Sequence, residues 1–244
     1  MVVTPQPSEN STSSSTTIDL ATERFRETDA VSVQSLKGGL YEESFASLTS
    51  VTGDTETRKV ALDHWQFFKG SGVTDKLLFT SGTSRTTGGV YAFADGADVS
   101  LGTLATSTMG ASVGLAFRND GEAPVAVKGL SFDTIQRSFK SNEATYVLEW
   151  LVTDGATGIG TEGDWQAVEI PKTAPYVEAP PEGETRYRQS VTVTDGLPSQ
   201  RIPVGGVLIF RWRHEKVSSG PMMAIDNVRI EFPEMRKGML MLVR

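Results

Sequence analysis

Residues 112–118, Ser-Val-Gly-Leu-Ala-Phe-Arg, followed by Asn119-Asp120-Gly121, decide how this chain is read. Val113, Leu115 and Phe117 fall on one side of an extended backbone and Ser112, Gly114, Ala116 and Arg118 on the other. The run is therefore expected to be a strand with one buried face. Asp-Gly supplies a positive φ at low steric cost, so 119–121 reads as a tight turn.

The same punctuation extends outward from residue 77, with short apolar alternations cut by Gly, Asp, Asn and Pro. Candidate strands are 76–80, 89–94, 112–118, 125–134, 144–153, 165–170, 189–194, 207–213 and 222–232. Nine strands in about 160 residues is the density of a two-sheet sandwich. Tyr146, Leu148, Trp150 and Val152 form one apolar row, with Val147 and Leu151 around Glu149 opposite, so that strand is placed centrally. Leu208, Phe210 and Trp212 make a core row, while Arg211 and Arg213 share the other face with Val207 and Ile209. Glu149 is expected to pair across the sheet with Arg211 or Arg213. The fold class is all-β, an antiparallel two-sheet jelly-roll sandwich with an extended N-terminal lead-in.

The first 17 residues are rich in Ser, Thr, Pro and Asn with little to bury, and read as an extended or disordered lead-in. They lack the basic start and apolar run of a signal peptide. Residues 18–39 are ambiguous, with loose helical spacing at Ile18, Ala21 and Phe25 and strand-like alternation at 31–33. The domain division is thus 1–39 lead-in and short element, 40–232 sandwich, and 233–244 tail. Residues 154–164, with Gly at 155, 158, 160 and 163, read as a mobile acidic loop, and 173–184, with Pro175, Pro180 and Pro181, as a surface excursion.

Composition removes several chemistries. The chain has 244 residues and no Cys, which excludes disulfide scaffolds, thiol nucleophiles and thiolate metal sites. Two histidines, His64 and His214, are too few for a His-rich metal site. A formal charge of −7 makes nucleic acid an unfavoured partner and disfavours acidic substrates. No window is apolar enough to span a membrane. Gly70-Ser71-Gly72-Val73-Thr74-Asp75-Lys76 misplaces the second glycine of a phosphate loop, and no nucleophile elbow is present. Glu143 and Glu149 share a face as a hydrolytic pair would, but no third acid lies between them.

Two sets of candidate site residues remain. Trp65, Tyr91, Arg137, Tyr187 and His214 are aromatic, or cationic beside aromatics, and suit contact with a sugar face. Asp154, Glu162 and Asp164, with the carbonyls of their loop, offer the hard-oxygen set of structural calcium. Asp226 interrupts the apolar series Met223, Ala224, Ile225, Val228, Ile230 and must find a backbone, Arg or metal partner.

A resemblance joins these pieces. His64-Trp65, Gly88-Gly89-Val90-Tyr91-Ala92-Phe93, Ser100-Leu101-Gly102-Thr103-Leu104-Ala105 and Gly114-Leu115-Ala116-Phe117-Arg118-Asn119 come first. The strand 127–133, Leu208-Ile209-Phe210-Arg211-Trp212 and the closing Met223-Ala224-Ile225-Asp226-Asn227-Val228-Arg229-Ile230 follow. In this order they resemble a bacterial exported β-sandwich module of the concanavalin/jelly-roll type. Such modules are found beside Pro-Glu-Pro C-terminal sorting signals, nuclease or lamin-tail domains. The closing strand is also similar to that of MAM and laminin-G domains. Residues 135–140 keep only a basic, aromatic flavour of the family's middle segment, and the apolar run after Phe232-Pro233-Glu234 is too short to cross a membrane.

The resemblance implies a secreted or cell-surface, non-catalytic module for binding or adhesion, with carbohydrate or a surface protein as partner and no cofactor besides the calcium weighed above. Two alternatives stay open at this point. One is a structural subunit that self-associates through its tails by strand addition. The other is a polysaccharide hydrolase or lyase.

Overall fold

The structure, a computed structural model, describes residues 34–36, 39–48, 56–59, 62, 64–70, 72–74, 76–82, 85–139, 146–155, 158–160, 162–168, 177–198, 201–216 and 218–233. The Ser/Thr-rich lead-in of residues 1–17, Glu143 and the tail beyond residue 233 lie outside them. Among the described residues no helix is long and apolar enough to cross a membrane.

Among the described residues fifteen strands form two sheets: β1 Gln34–Ser35, β2 Leu40–Glu43, β3 Glu56–Lys59, β4 Trp65–Lys69, β5 Gly72–Thr74, β6 Lys76–Thr80, β7 Gly89–Asp95 and β8 Asp98–Leu104 in the first half of the chain, then β9 Ala111–Arg118, β10 Gly129–Gln136, β11 Tyr146–Thr153, β12 Gln166–Val168, β13 Tyr187–Val193, β14 Val207–His214 and β15 Met222–Glu231. Sheet A runs β12-β11-β14-β9-β4-β5 and sheet B runs β13-β10-β15-β8-β7-β6-β3. From β8 onward the pairing is nested: β8 with β15, β9 with β14, β10 with β13, β11 with β12. That is one long hairpin rolled over itself into two sheets, the jelly roll the sequence implies. β3 to β7 add strands beyond β8 and β9, and among the described strands β1–β9 and β6–β7 are the parallel pairs.

Each sheet has one long strand whose edge is shared by two partners. β9 takes β4 along Ala111 to Leu115 and β1 at Phe117 and Arg118. β15 takes β8 along Met222 to Ile225 and β2 along Val228 to Glu231. Gln34–Ser35 lies before the 40–232 range expected for the sandwich, yet it pairs into sheet A, and Leu36 behind it is buried.

The inner rows are those the alternation indicates. Leu115, Phe117, Leu148, Trp150, Leu208, Phe210 and Trp212 meet Phe79, Leu101, Leu130, Phe132, Ile225 and Ile230 in one core. Its centre is a pile of rings, with Phe45 against Trp65, Trp65 stacked on Trp212 at 5.7 Å, and Phe132 edge-on to Trp212 at 5.4 Å.

Three local expectations are corrected. β9 is buried on both faces, because Ile159 and Trp165 lie on the outer side of sheet A, with Ile159 set against Ala116. Gly114 is required there: a Cβ would stand 2.6 Å from Ile159 and 2.3 Å from the Phe210 carbonyl oxygen. The loop expected to be mobile is anchored at Ile159, whose amide donates to Gln66 Oε1 at 2.8 Å and whose carbonyl accepts from Arg211 Nη1 at 3.1 Å. The 119–121 turn does not use Gly121 for a positive φ. Buried Asn119 organises it instead, accepting the Gly121 amide at 3.0 Å and donating to the carbonyls of Ala123 and Ile202.

Candidate functional site

Both outer faces carry clusters of opposite charges, and these decide what is left to bind a ligand. On sheet A, β11 presents Glu149 and β14 presents Arg211 and Arg213, placed opposite one another by the antiparallel register. Arg211 Nε donates to Glu149 Oε2 at 2.6 Å, and Arg213 donates to the same oxygen at 3.0 Å and to Oε1 at 2.8 Å. Burial alone would raise the Glu149 carboxyl, but the hydrogen bonds from the two guanidiniums outweigh it and hold the group below its ordinary value. The cross-sheet pairing expected for Glu149 is what the structure shows, and it makes Glu149 a fixed anion.

Arg211 has two further tasks. Its Nη1 holds the Ile159 carbonyl, and its flat face lies 3.6 Å from the centre of the Trp165 ring. One side chain thus ties Ile159 to the sheet and holds Trp165 in place. Trp165 is half-buried.

Beside this anchor lies a polar cleft of about 620 Å³ lined by Trp150, Leu151, Val152, Thr153, Glu162, Gly163, Asp164 and Gln166. Its floor is β11 near the sheet edge, and its wall is the segment entering β12. Gly163 crosses close over Leu151, and Trp150 is fixed from below by donating to the Gly196 carbonyl at 2.9 Å. Glu162, Asp164 and Gln166 are exposed. The opening offers two carboxylates, an amide and a hydroxyl on a braced backbone.

On sheet B the stoichiometry is reversed. Arg188 Nη1 donates to Asp133 at 2.8 Å and to Asp226 at 3.0 Å, and Nη2 donates to Asp98 at 2.8 Å. A bulge on β15 makes this possible: Asn227 adopts φ 48°, and the register with β10 slips by one residue there. Met223, Ile225, Val228 and Ile230 consequently all face the core while Asp226 stays outside it. Asp226 thus has the Arg and backbone partners expected of it, the second being the Asn227 amide at 2.8 Å. Burial raises the Asp226 carboxyl, whereas in Asp133 the bonds from Ser190, Asn227 and Arg188 overcome burial and lower it.

The residues singled out from sequence are distributed as follows. Trp65 is buried, donating its Nε1 proton to the Tyr41 hydroxyl at 2.8 Å. Tyr91 is fully buried on the outer side of sheet B, stacked on Phe93, with its hydroxyl donating to the Thr87 carbonyl. Arg137 lies over the same Phe93 ring at 5.2 Å and is also buried, so Tyr91 and Arg137 are brought together. Tyr187 is half-buried, its strand position opposite Gln136.

His214 is fully buried at the end of β14, in a chain of polar groups that links the sheets. Tyr146 donates to the Met223 carbonyl at 2.8 Å, Thr103 Oγ1 therefore donates to the Tyr146 oxygen at 2.9 Å, and His214 Nδ1 donates to Thr103 Oγ1 at 3.0 Å. Nε2 is left as a buried lone pair without a partner, and burial lowers the imidazole to about 4.

Of the calcium candidates, Glu162 and Asp164 share the cleft, Asp154 is exposed at the far end of the same loop, and Asp226 sits on the opposite sheet. Among the described residues no three His, Asp or Glu side chains converge on a metal position. The sequence puts Trp165 and Gln166 on a strand and in neither candidate set, whereas Gln166 lines the cleft and Trp165 precedes it in the chain. The aromatic next to two acids at a glycine-rich turn was the available signal.

No protein-family model matches this chain and no curated protein matches it. Solved structures similar to it include the K3 cleaved adhesin domain of Lys-gingipain from Porphyromonas gingivalis, at 12% identity over 78% of this chain and 98% of that one, with a TM-score of 0.41. A family 11 carbohydrate-binding module from Clostridium thermocellum is similar at 8% identity over 70% and 90%, with a TM-score of 0.37. The enzymatically active domain of bacteriophage CBA120 tailspike protein 4 is similar at 11% identity and a TM-score of 0.37 over 70% of this chain, which covers 19% of that chain.

Proposed function

We propose that this chain is a non-catalytic, exported sandwich module that binds carbohydrate in the cleft between β11 and the segment leading into β12. The observation that carries this reading is the braced opening itself. Thr153, Glu162, Asp164 and Gln166 present hydroxyl-, carboxylate- and amide-bonding groups around a volume of about 620 Å³, and Trp165, between Asp164 and Gln166 in the chain, is held by Arg211. A space of that size suits a few sugar rings. Sugars combine hydroxyls that need acceptors and donors with apolar ring faces that suit an aromatic. The non-catalytic part is supported by the commitment of Glu149 and Asp226 to guanidiniums and by the burial of His214.

The test is calorimetric titration of the full chain with a panel of oligosaccharides, repeated on Trp165→Ala and Gln166→Ala. Binding weakened about tenfold by Trp165→Ala, the scale of one aromatic contact, supports the proposal. Absence of binding to every glycan, or binding that both variants leave intact, rejects it.

A further inference from the structure

We infer that the cleft selects by charge, admitting neutral glycans and turning away those carrying uronic acids or sulfates. This rests on the reading of the cleft as a glycan site and adds which class of glycan it takes.

The argument turns on where the nearby arginines spend their donors. Arg211 gives Nε to Glu149 and Nη1 to the Ile159 carbonyl, and its π-face to Trp165. Arg213 gives Nε and Nη2 to Glu149 and Nη1 to Glu215. Two guanidiniums and two carboxylates close on one another with no net charge left for a ligand. Glu162 and Asp164 line the opening, are exposed, and have no ion-pair partner among the described residues. The charge a ligand meets in the cleft is therefore that of these two acids.

A neutral sugar brings hydroxyl donors that the free carboxylate oxygens accept. A uronate or sulfate brings like charge instead. Two unit repulsions at about 6 Å in a water-like dielectric weaken binding by about tenfold. Because the acids are exposed, this discrimination falls with ionic strength, as the screening length shortens from about 10 Å at 0.1 M to about 3 Å at 1 M salt.

The experiment titrates the full chain with neutral hexasaccharides of glucose, mannose and xylose and with hexagalacturonate, in dilute buffer and in high salt. It is repeated on the double variant Glu162→Gln, Asp164→Asn. The expected result is a neutral sugar bound about tenfold more tightly than the uronate in dilute buffer, with the gap closing in high salt and in the double variant. Uronate bound as tightly as the neutral sugars, or a gap that the double variant leaves unchanged, overturns the inference alone. If no hexasaccharide binds, the glycan reading of the cleft falls and this inference with it.

Discussion

On the outer face of sheet A two guanidiniums converge on one carboxylate, while on the outer face of sheet B one guanidinium serves three carboxylates. The first arrangement has donors to spare once Glu149 is satisfied, and Arg211 uses them to pin a loop and hold an aromatic in place. The second is short of cation. Asp133 and Asp226 share a single nitrogen of Arg188, and their carboxyls move in opposite directions, Asp133 down and Asp226 up. The same two side-chain chemistries thus produce a rigid mount on one face and a strained junction on the other, and the difference lies in the count of partners.

The sharpest way to break this comparison is to remove the scarce partner. Arg188→Met leaves Asp226, almost wholly buried, beside Asp133 with no cation, and is expected to cost about 3 kcal/mol in urea unfolding at neutral pH, the lower end of the range for orphaned buried charges. Part of that loss should return on acidification, because a carboxyl raised by burial is most compatible with the fold when protonated. A variant as stable as wild type would mean that Arg188 is not what balances the junction.

Next in size is the interior reference that belongs to neither face. His214 has its folded value lowered to about 4 from 6.5, so its neutral form favours the fold. Its contribution is complete above 6.5, declines as pH falls through the interval, and is lost below about 4. The loss amounts to about 3 kcal/mol. In His214→Phe the stability profile between those values should flatten; whatever slope persists is assigned to the outer clusters. There the two faces diverge. Glu149 loses its contribution as pH falls from its ordinary 4.5 through its lower folded value, while Asp226 is relieved on protonation.

The smallest effect is expected from the abundant side of the comparison. Glu149→Gln keeps the shape but leaves two arginines that already reach solvent, at a cost of about 2 kcal/mol from weakened charged hydrogen bonds. A cost exceeding that of Arg188→Met would invert the comparison.

The strands from residue 76 onward were legible because period-two alternation and Gly-Asp punctuation survive in a sandwich. β8 was missed, since Asp-Val-Ser-Leu-Gly-Thr-Leu alternates poorly. Its Gly102 is imposed by a neighbour far along the chain, as a Cβ there would come within 2.2 Å of the Met223 carbonyl oxygen. The burial of β9 on both sides was invisible for a similar reason: it depends on Ile159 arriving from a loop whose composition reads as solvent-exposed. Site residues were the least legible. Trp65 and His214 have the composition of ligand contacts, yet both are buried in the core, where Trp65 Nε1 meets the Tyr41 hydroxyl and His214 Nδ1 the Thr103 hydroxyl. Local sequence shows that an aromatic has a polar atom, but not whether the partner of that atom is protein or ligand.

The shared edges of β9 and β15 bear on how the molecule is born. β2 closes against the far end of β15, and the Glu42–Arg229 pair spans 187 positions. During vectorial synthesis β1 and β2 leave the ribosome well before β9 and β15, whose edges they join, and the roll begun at β8 cannot shut until residue 231 emerges. At about 5–20 residues per second that wait is on the order of ten seconds. Through it the apolar rows of β7 to β11 stand open, and so β15, the last of the described strands, completes the edges that β8, β10 and β2 await.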